Sequence, residues 1–276
     1  MRVLILVSIL LTTFLLLYAD PGDIIRTFDL DGNQGYGIWG LAYDPEDGNI
    51  WAAQDKRDDD YSKFCKFRND EGHEIIQDWQ ELENNIWVDD IAYPYSYEGK
   101  DTLVILDNST DGPTLMNIYD KETGEYLGRV TNEFLISYGI EASHNGNILY
   151  ASDWLPGEIY TFYGYNWGWF SDCEEDAVGV AYGWERVFVI HNITPPSIWV
   201  FDLDGNLEDE IEVNGWDGYG VSGLSRGREN ISGYNESLYV AVYDTHGYSI
   251  IYEIEVGDYN TAINSSSVGE IKALFH

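Results

Sequence analysis

The chain has 276 residues, of which 44% are hydrophobic and 15% aromatic, enough apolar material for a full core and too much for wholesale disorder. Its 49 acidic against 14 basic side chains leave a formal net charge of −35, which repels phosphate backbones and anionic membranes and argues against nucleic acid as a partner. Two cysteines, without a Cys-x-x-Cys pair or a Cys/His cluster, exclude a disulfide-dense scaffold and a structural zinc site.

At the start, Arg2 precedes an uncharged apolar run from Val3 to Tyr18 that closes on Ala19. A basic residue, an apolar stretch and a small final residue read as a signal peptide over 1–19, with an N-terminal membrane anchor as the alternative. On either reading the rest of the chain is expected to be secreted or at the cell surface. Sequons at Asn108, Asn192, Asn230, Asn235 and Asn264 suit a glycoprotein of that compartment, although Pro195 weakens the second as an acceptor.

Beyond residue 22 no long segment carries apolar residues at helical spacing. Short runs of Val, Ile, Tyr, Phe and Trp alternate instead with Gly, Asp and Asn, which are strand and turn signals. One run recurs: Gly-Leu-Ala-Tyr-Asp at 40–44, Asp-Ile-Ala-Tyr-Pro at 90–94, Gly-Ile-Glu-Ala-Ser at 139–143, Gly-Val-Ala-Tyr-Gly at 179–183 and Gly-Val-Ser-Gly-Leu at 220–224. The spacings of 50, 49, 40 and 41 residues are those of propeller blades. A second strand follows each run, at 49–53, 102–106, 147–151, 186–190 and 237–241, and a third at 63–67, 115–119, 158–162, 197–201 and 250–254. Outer strands are expected near 75–79, 126–130, 167–171 and 209–213.

The last repeat lacks an outer strand, and a matching segment, Ile24 to Leu30, stands at the N-terminus. The sequence Phe-Asp-Leu-Asp-Gly-Asn occurs at both 28–33 and 201–206, at the same place in the repeat. The expected fold is therefore all-β, a five-bladed β-propeller over 20–258 whose last blade is closed by the N-terminal strand. Such closure removes the exposed sheet edges of an open ring. Residues 259–276 form a C-terminal tail too short for a further blade; its Val268–Phe275 stretch could compete for the closing place.

The unit Gly-Leu-Ala-Tyr-Asp, Asp-Gly-Asn-Ile-Trp-Ala-Ala and Phe-Asp-Leu-Asp-Gly-Asn resembles the repeats of secreted NHL/YVTN-type propellers, the broad group that includes virginiamycin B lyase-like proteins. The resemblance spans about 23–258 and implies a fold, with binding or scaffolding the commoner role and no catalytic residue carried over. The aromatic-Thr-Gln-Gly-Leu motif of glutamine cyclotransferase-like five-bladed propellers is absent from the chain.

The loops into each first strand and those from second to third strand share one face of such a ring. That face is expected to display Tyr36, Trp39, Trp87, Tyr138, Asp153, Trp154, Trp216 and Asp217. Flat rings beside carboxylates hold saccharides or cationic groups; packing of blade on blade is the bland alternative. Asp55, Asp107, Asp153, Asn192 and Asp244 recur where second strands end. They read as turn-forming side chains or, functionally, as an acidic ring suited to Ca²⁺, the one cofactor the sequence invites.

Asp89, Asp90 and Glu141 lie on or beside first strands and are the weak catalytic candidates, since a glycosidase needs a carboxyl pair with one pKa raised by burial. His191, Asp244 and His246 are the weak metal candidates, with His144 placed on the opposite face. Cys65 and Cys173 fall in different blades and are expected to be free thiols.

The leading expectation is an exported, non-enzymatic propeller that binds an extracellular carbohydrate or protein through its loop-rich face. A lyase or glycosidase using carboxylates near the axis is the rival. A structural subunit of a surface layer or fibre is a third reading, and homo-oligomers are compatible with all of them.

Overall fold

The computed structural model describes residues 19–30, 37–55, 61–84, 86–108, 114–130, 137–154, 156–163, 166–173, 176–216, 220–231, 234–243 and 249–259, apart from the side chains at 230, 231, 234 and 235. The apolar N-terminus, Tyr36, Asp217, Asp244, His246, Asn264 and the tail from 260 lie outside the described residues, as do the side chains of Asn230 and Asn235. Among the described residues there are twenty strands and no helix.

The strands form five antiparallel four-stranded sheets. In chain order the first blade holds β2 (Ile38–Tyr43), β3 (Ile50–Gln54), β4 (Lys63–Phe67) and β5 (Ile75–Glu81). The second holds β6 (Val88–Tyr97), β7 (Lys100–Asp107), β8 (Leu115–Tyr119) and β9 (Tyr126–Val130). The third holds β10 (Ser137–Ala142), β11 (Ile148–Asp153), β12 (Glu158–Tyr163) and β13 (Asn166–Asp172), and the fourth β14 (Ala177–Gly183), β15 (Arg186–His191), β16 (Ser197–Phe201) and β17 (Leu207–Glu212). The fifth blade takes β18 (Gly220–Ile231), β19 (Tyr234–Tyr243) and β20 (Ser249–Gly257), and is completed by β1 (Ile24–Phe28). Successive first strands pack on one another around the axis, and β18 returns to β2, so the five-bladed ring is closed.

The sheets stack through apolar faces, which is why middle strands read as near-continuous apolar runs while outer strands alternate. Trp51 of the first blade packs on Tyr93 of the second, and Tyr150 of the third stacks on Tyr182 of the fourth. Outermost β17, Leu-Glu-Asp-Glu-Ile-Glu, buries Ile211 alone and turns its acids to water. Its turn is the repeated Asp-Leu-Asp-Gly-Asn: Asp202 Oδ1 accepts the N–H groups of Asp204 and Asn206 at 2.9 and 2.8 Å, a hairpin device.

Closure uses the expected N-terminal strand, antiparallel to β20 with Ile24 opposite Ile254, Arg26 opposite Glu253 and Phe28 opposite Ile251. Gly22 N–H donates to Glu255 O, and Asn214 N–H to Gly22 O, both at 2.7 Å, so the same segment also ties the fourth blade to the fifth. Beneath it Glu253 is fully buried between two guanidiniums, Arg26 Nε at 2.7 Å and Arg228 Nη2 at 2.6 Å, and accepts Ser237 Oγ–H at 2.8 Å.

At the axis the first strands approach closer than side chains allow. A Cβ on Gly40 would lie 2.8 Å from Asp90 Cα, and one on Gly179 would lie 2.7 Å from Ser222 O. This is the physical content of the recurring glycine. It also corrects the fifth repeat: the residue against Gly40 is Gly223, not Gly220, because β18 shifts register between Val221 and Leu224.

Candidate ligand-binding site

Where the first strands begin, residues from all five blades line one pocket of about 150 Å³: Trp39, Asp89, Tyr138, Trp154, Asn192 and Tyr243, with Val178, Val221 and Ser222 beneath. Strand ends position each of them. Tyr138 and Asp89 sit at the starts of β10 and β6, and Tyr243 ends β19 where the other second strands end in Gln54, Asp107, Asp153 and His191. Trp39 stacks on Tyr243 with ring centroids 4.8 Å apart, and Tyr138 meets Trp154 at 5.3 Å. Trp154 Nε1–H donates to Asp176 Oδ1 at 2.5 Å, which fixes the indole plane.

Asp89 is the polar centre of this pocket. Burial, then the negative charges of Asp55 and Asp107, push its carboxyl from 3.8 up to about 8, with the Asn108 amide pulling the other way. Its Oδ2 is enclosed and has no hydrogen-bond partner among the described residues. The two neighbouring acids are engaged with backbone: Asp55 Oδ1 accepts Val88 N–H, and Asp107 Oδ1 accepts Trp87 N–H, each at 3.2 Å. Asn192 does the same across the next junction, its Oδ1 accepting Val221 N–H at 3.1 Å. Acids and amides at second-strand ends thus hold the approaches to first strands, a structural role for a pattern that also reads as a carboxylate ring. Among the described residues no group of three or more His, Cys, Asp or Glu stands arranged to hold a metal ion.

Asp90 and Glu141 lie on the first strands β6 and β10 and are enclosed. Asp90 Oδ1 accepts Ile91 N–H and its Oδ2 accepts Ile140 N–H, both at 2.9 Å, while Leu41 N–H also favours the ionised form. Glu141 Oε1 accepts Ala142 N–H at 2.8 Å, and the amides of Tyr43 and Tyr93 act on it likewise. Burial raises both pKa values well above the ordinary carboxyl range, while the inner-edge amides that these carboxyls accept pull the other way.

The other sequence candidates are dispersed. Trp87 is 54% exposed on the rim, and Asp153 is buried at the end of β11. Trp216 packs edge-on against Tyr252 at 5.8 Å, between the fourth and fifth blades. His191 is buried beside Trp199, its ring nitrogens without hydrogen-bond partners, and burial drives its pKa down to about 4. His144 lies in the β10–β11 turn against Tyr182 and Arg226. Cys65 and Cys173 are unbridged, and burial raises the Cys65 thiol further. Asn108 is half-buried at the end of β7.

Tyr243 escapes sequence reasoning, yet an aromatic replacing a polar residue at a second-strand end was the available signal. A second depression, of about 460 Å³, lies among Tyr43, Asn69, Arg226 and Arg228. Its cations are already engaged: Arg226 pairs with Glu229 and lies over Tyr43 and Trp184, and Arg228 holds Glu253.

No protein-family profile and no curated protein matches the chain. Solved structures do. One is a chain of the nidogen/laminin complex, 14% identical, TM-score 0.51, covering 82% of this chain and 88% of that one. Another is Myxococcus xanthus glutaminyl cyclase, 13% identical, TM-score 0.56, covering 87% of this chain and all of the other. This chain is a β-propeller. At such identity the likeness is one of fold, and the resemblance to NHL/YVTN-type repeats likewise extends to the propeller architecture.

Proposed function

We propose that this protein is an exported, non-enzymatic propeller that binds an extracellular ligand, a carbohydrate or a protein, through its loop-rich face. The observation that carries the reading is the pocket to which all five blades contribute, with aromatic rings and one buried carboxyl converging on the axis. Concave, mostly apolar sites with a few placed polar groups are how propellers and other folds hold small groups. One chain of similar fold occurs in a complex with laminin or nidogen, which is in keeping with a protein partner.

A second reading, an extracellular lyase or glycosidase, draws on Asp89, whose pKa of about 8 keeps a proton available at neutral pH. The fold likeness to a cyclase is compatible with it. Against Asp90 and Glu141 as its partner acid stands their enclosure, with Asp90 and one Glu141 oxygen accepting backbone amides. Calcium, if the face uses it, would enter through the acids at second-strand ends. A glycan array and a panel of extracellular proteins, each probed with residues 20–276 with and without calcium, test the binding reading. Binding that disappears in Trp39→Ala supports it, and hydrolysis or elimination of a bound glycan replaces it with the enzyme reading.

A further inference from the structure

The chemistry of the pocket narrows its ligand, on the reading that this face binds one. Most of its polar lining is already engaged. Ser222 Oγ lies 3.4 Å from both Ile38 O and Ala241 O, and Asn192 Oδ1 holds Val221 N–H. The Trp154 indole N–H belongs to Asp176, and the Tyr138 hydroxyl accepts the Asn108 amide at 3.5 Å. What lines the space is the surface of four rings and the Asp89 carboxyl, a residue nine-tenths buried whose Oδ2 is enclosed and has no hydrogen-bond partner among the described residues. Among the described lining residues there is no Lys, Arg or His.

Size and hydrogen bonding then decide between ligand classes. A space of about 150 Å³ takes a group of roughly benzene's size. A hexose is larger and brings hydroxyls that would lose water without gaining partners here. A primary ammonium brings more N–H donors than the single available oxygen can accept. A methylated ammonium carries positive charge and no such demand; ring faces and one counter-charge satisfy it.

We propose that this axial mouth binds a methylated ammonium group, packed between the Trp39–Tyr243 and Tyr138–Trp154 pairs with Asp89 as its counter-charge. The net charge of −35 favours the approach of such a cation. Asp55 and Asp107 act on Asp89 from the ends of the first two second strands, Asn108 hydrogen-bonds to it, and Tyr138 and Tyr243 line the same pocket. Because the Asp89 carboxyl is protonated below about pH 8 in the empty pocket, binding the cation releases that proton and tightens as pH rises.

The test titrates residues 20–276 with tetramethylammonium and choline by calorimetry, with 3,3-dimethyl-1-butanol as the uncharged isostere of choline and methyl glucoside as the saccharide probe. Choline should bind about tenfold or more tightly than its isostere, and about tenfold more tightly near pH 9 than near pH 6. Asp89→Asn should remove both differences while the protein still melts cooperatively, and Trp169→Ala, on the exposed outer strand β13, should change neither. Equal binding of choline and its isostere, or an unaltered pH profile in Asp89→Asn, overturns the proposal. A ligand from the glycan or protein panel that needs Trp39 when neither ammonium binds overturns this inference and leaves the binding face intact. A ligand indifferent to both Trp39→Ala and Tyr243→Ala overturns the two together.

Discussion

Trp39 and Trp216 look alike in the sequence, each an aromatic beside a glycine in a loop-rich stretch, and the fold gives them different work. Trp39 lines the pocket and stacks on Tyr243, whereas Trp216 has its ring edge-on to Tyr252 and packs against the core between two blades. Replacing Trp216 with Ala should leave a cavity and cost about 3 kcal/mol of stability, read as a lowered thermal midpoint, with ligand affinity unchanged. Trp39→Ala should instead cost about 1 to 3 kcal/mol of affinity, as loss of an anchor does. Equal binding losses in the two variants would show that both rings touch the ligand.

Among the elements, β1 bears the most consequence for its length. Only five residues long, it supplies the outer edge of the fifth blade, links to the fourth through Gly22 and Asn214, and covers Glu253 with Arg26. Glu253→Ala would strand two guanidiniums around an apolar gap, and removing one member of a buried ion pair costs about 3 to 5 kcal/mol. Urea unfolding should show that loss, and deletion of residues 20–30 should be at least as severe. Deletion of 260–276 should leave β1 in place, and a tail deletion that unfolds the protein would mean that the tail supports the closing blade. The strand itself was legible, because Phe-Asp-Leu-Asp-Gly-Asn repeats at 201–206 and fixes the phase of the whole ring. First, second and third strands were legible for the same reason, short runs of Val, Ile, Tyr, Phe and Trp bounded by Gly, Asp and Asn and repeated every 40 to 50 residues. The register of β18 was not. Gly220 and Gly223 are both plausible axial glycines until the close approach of Gly223 to Gly40 separates them. The roles of Asp90 and Glu141 were equally hidden, since nothing local to a strand announces that its inner-edge carboxyl meets amides of two other blades. Which aromatics converge on the mouth depends on where each first strand begins, and a slip of a residue or two carries Trp87 to the rim.

Over the whole molecule, two sets of buried titratable groups pull stability in opposite directions with pH. His73, His144 and His191 are depressed from 6.5 to about 4, chiefly by burial, so the stability they allow is present above 6.5 and is lost as pH falls toward 4. Asp89 is raised from 3.8 to about 8, so its stability is complete at low pH and is lost as pH climbs from about 4 through 8, and burial raises Asp90 and Glu141 well above the ordinary carboxyl range, which acts in the same direction. Between about pH 4.5 and 6.5 the two trends oppose one another, and above 6.5 only the carboxyl trend remains. Mutual repulsion within a net charge of −35 adds to the decline at high pH. The thermal midpoint should therefore be nearly level from about pH 4.5 to 6.5 and fall from there to about pH 9. Salt should restore part of the alkaline loss, because screening shortens from about 8 Å at physiological strength to about 3 Å at 1 M and acts on exposed charges while leaving buried ones alone. Asp89→Asn should flatten the alkaline limb and spare the acid one, since it removes one of the three raised carboxyls and none of the histidines. A midpoint that rises between pH 6.5 and 9 in low salt would contradict the burial of these carboxyls at the axis, and full recovery by salt alone would move the cause from the axis to the surface.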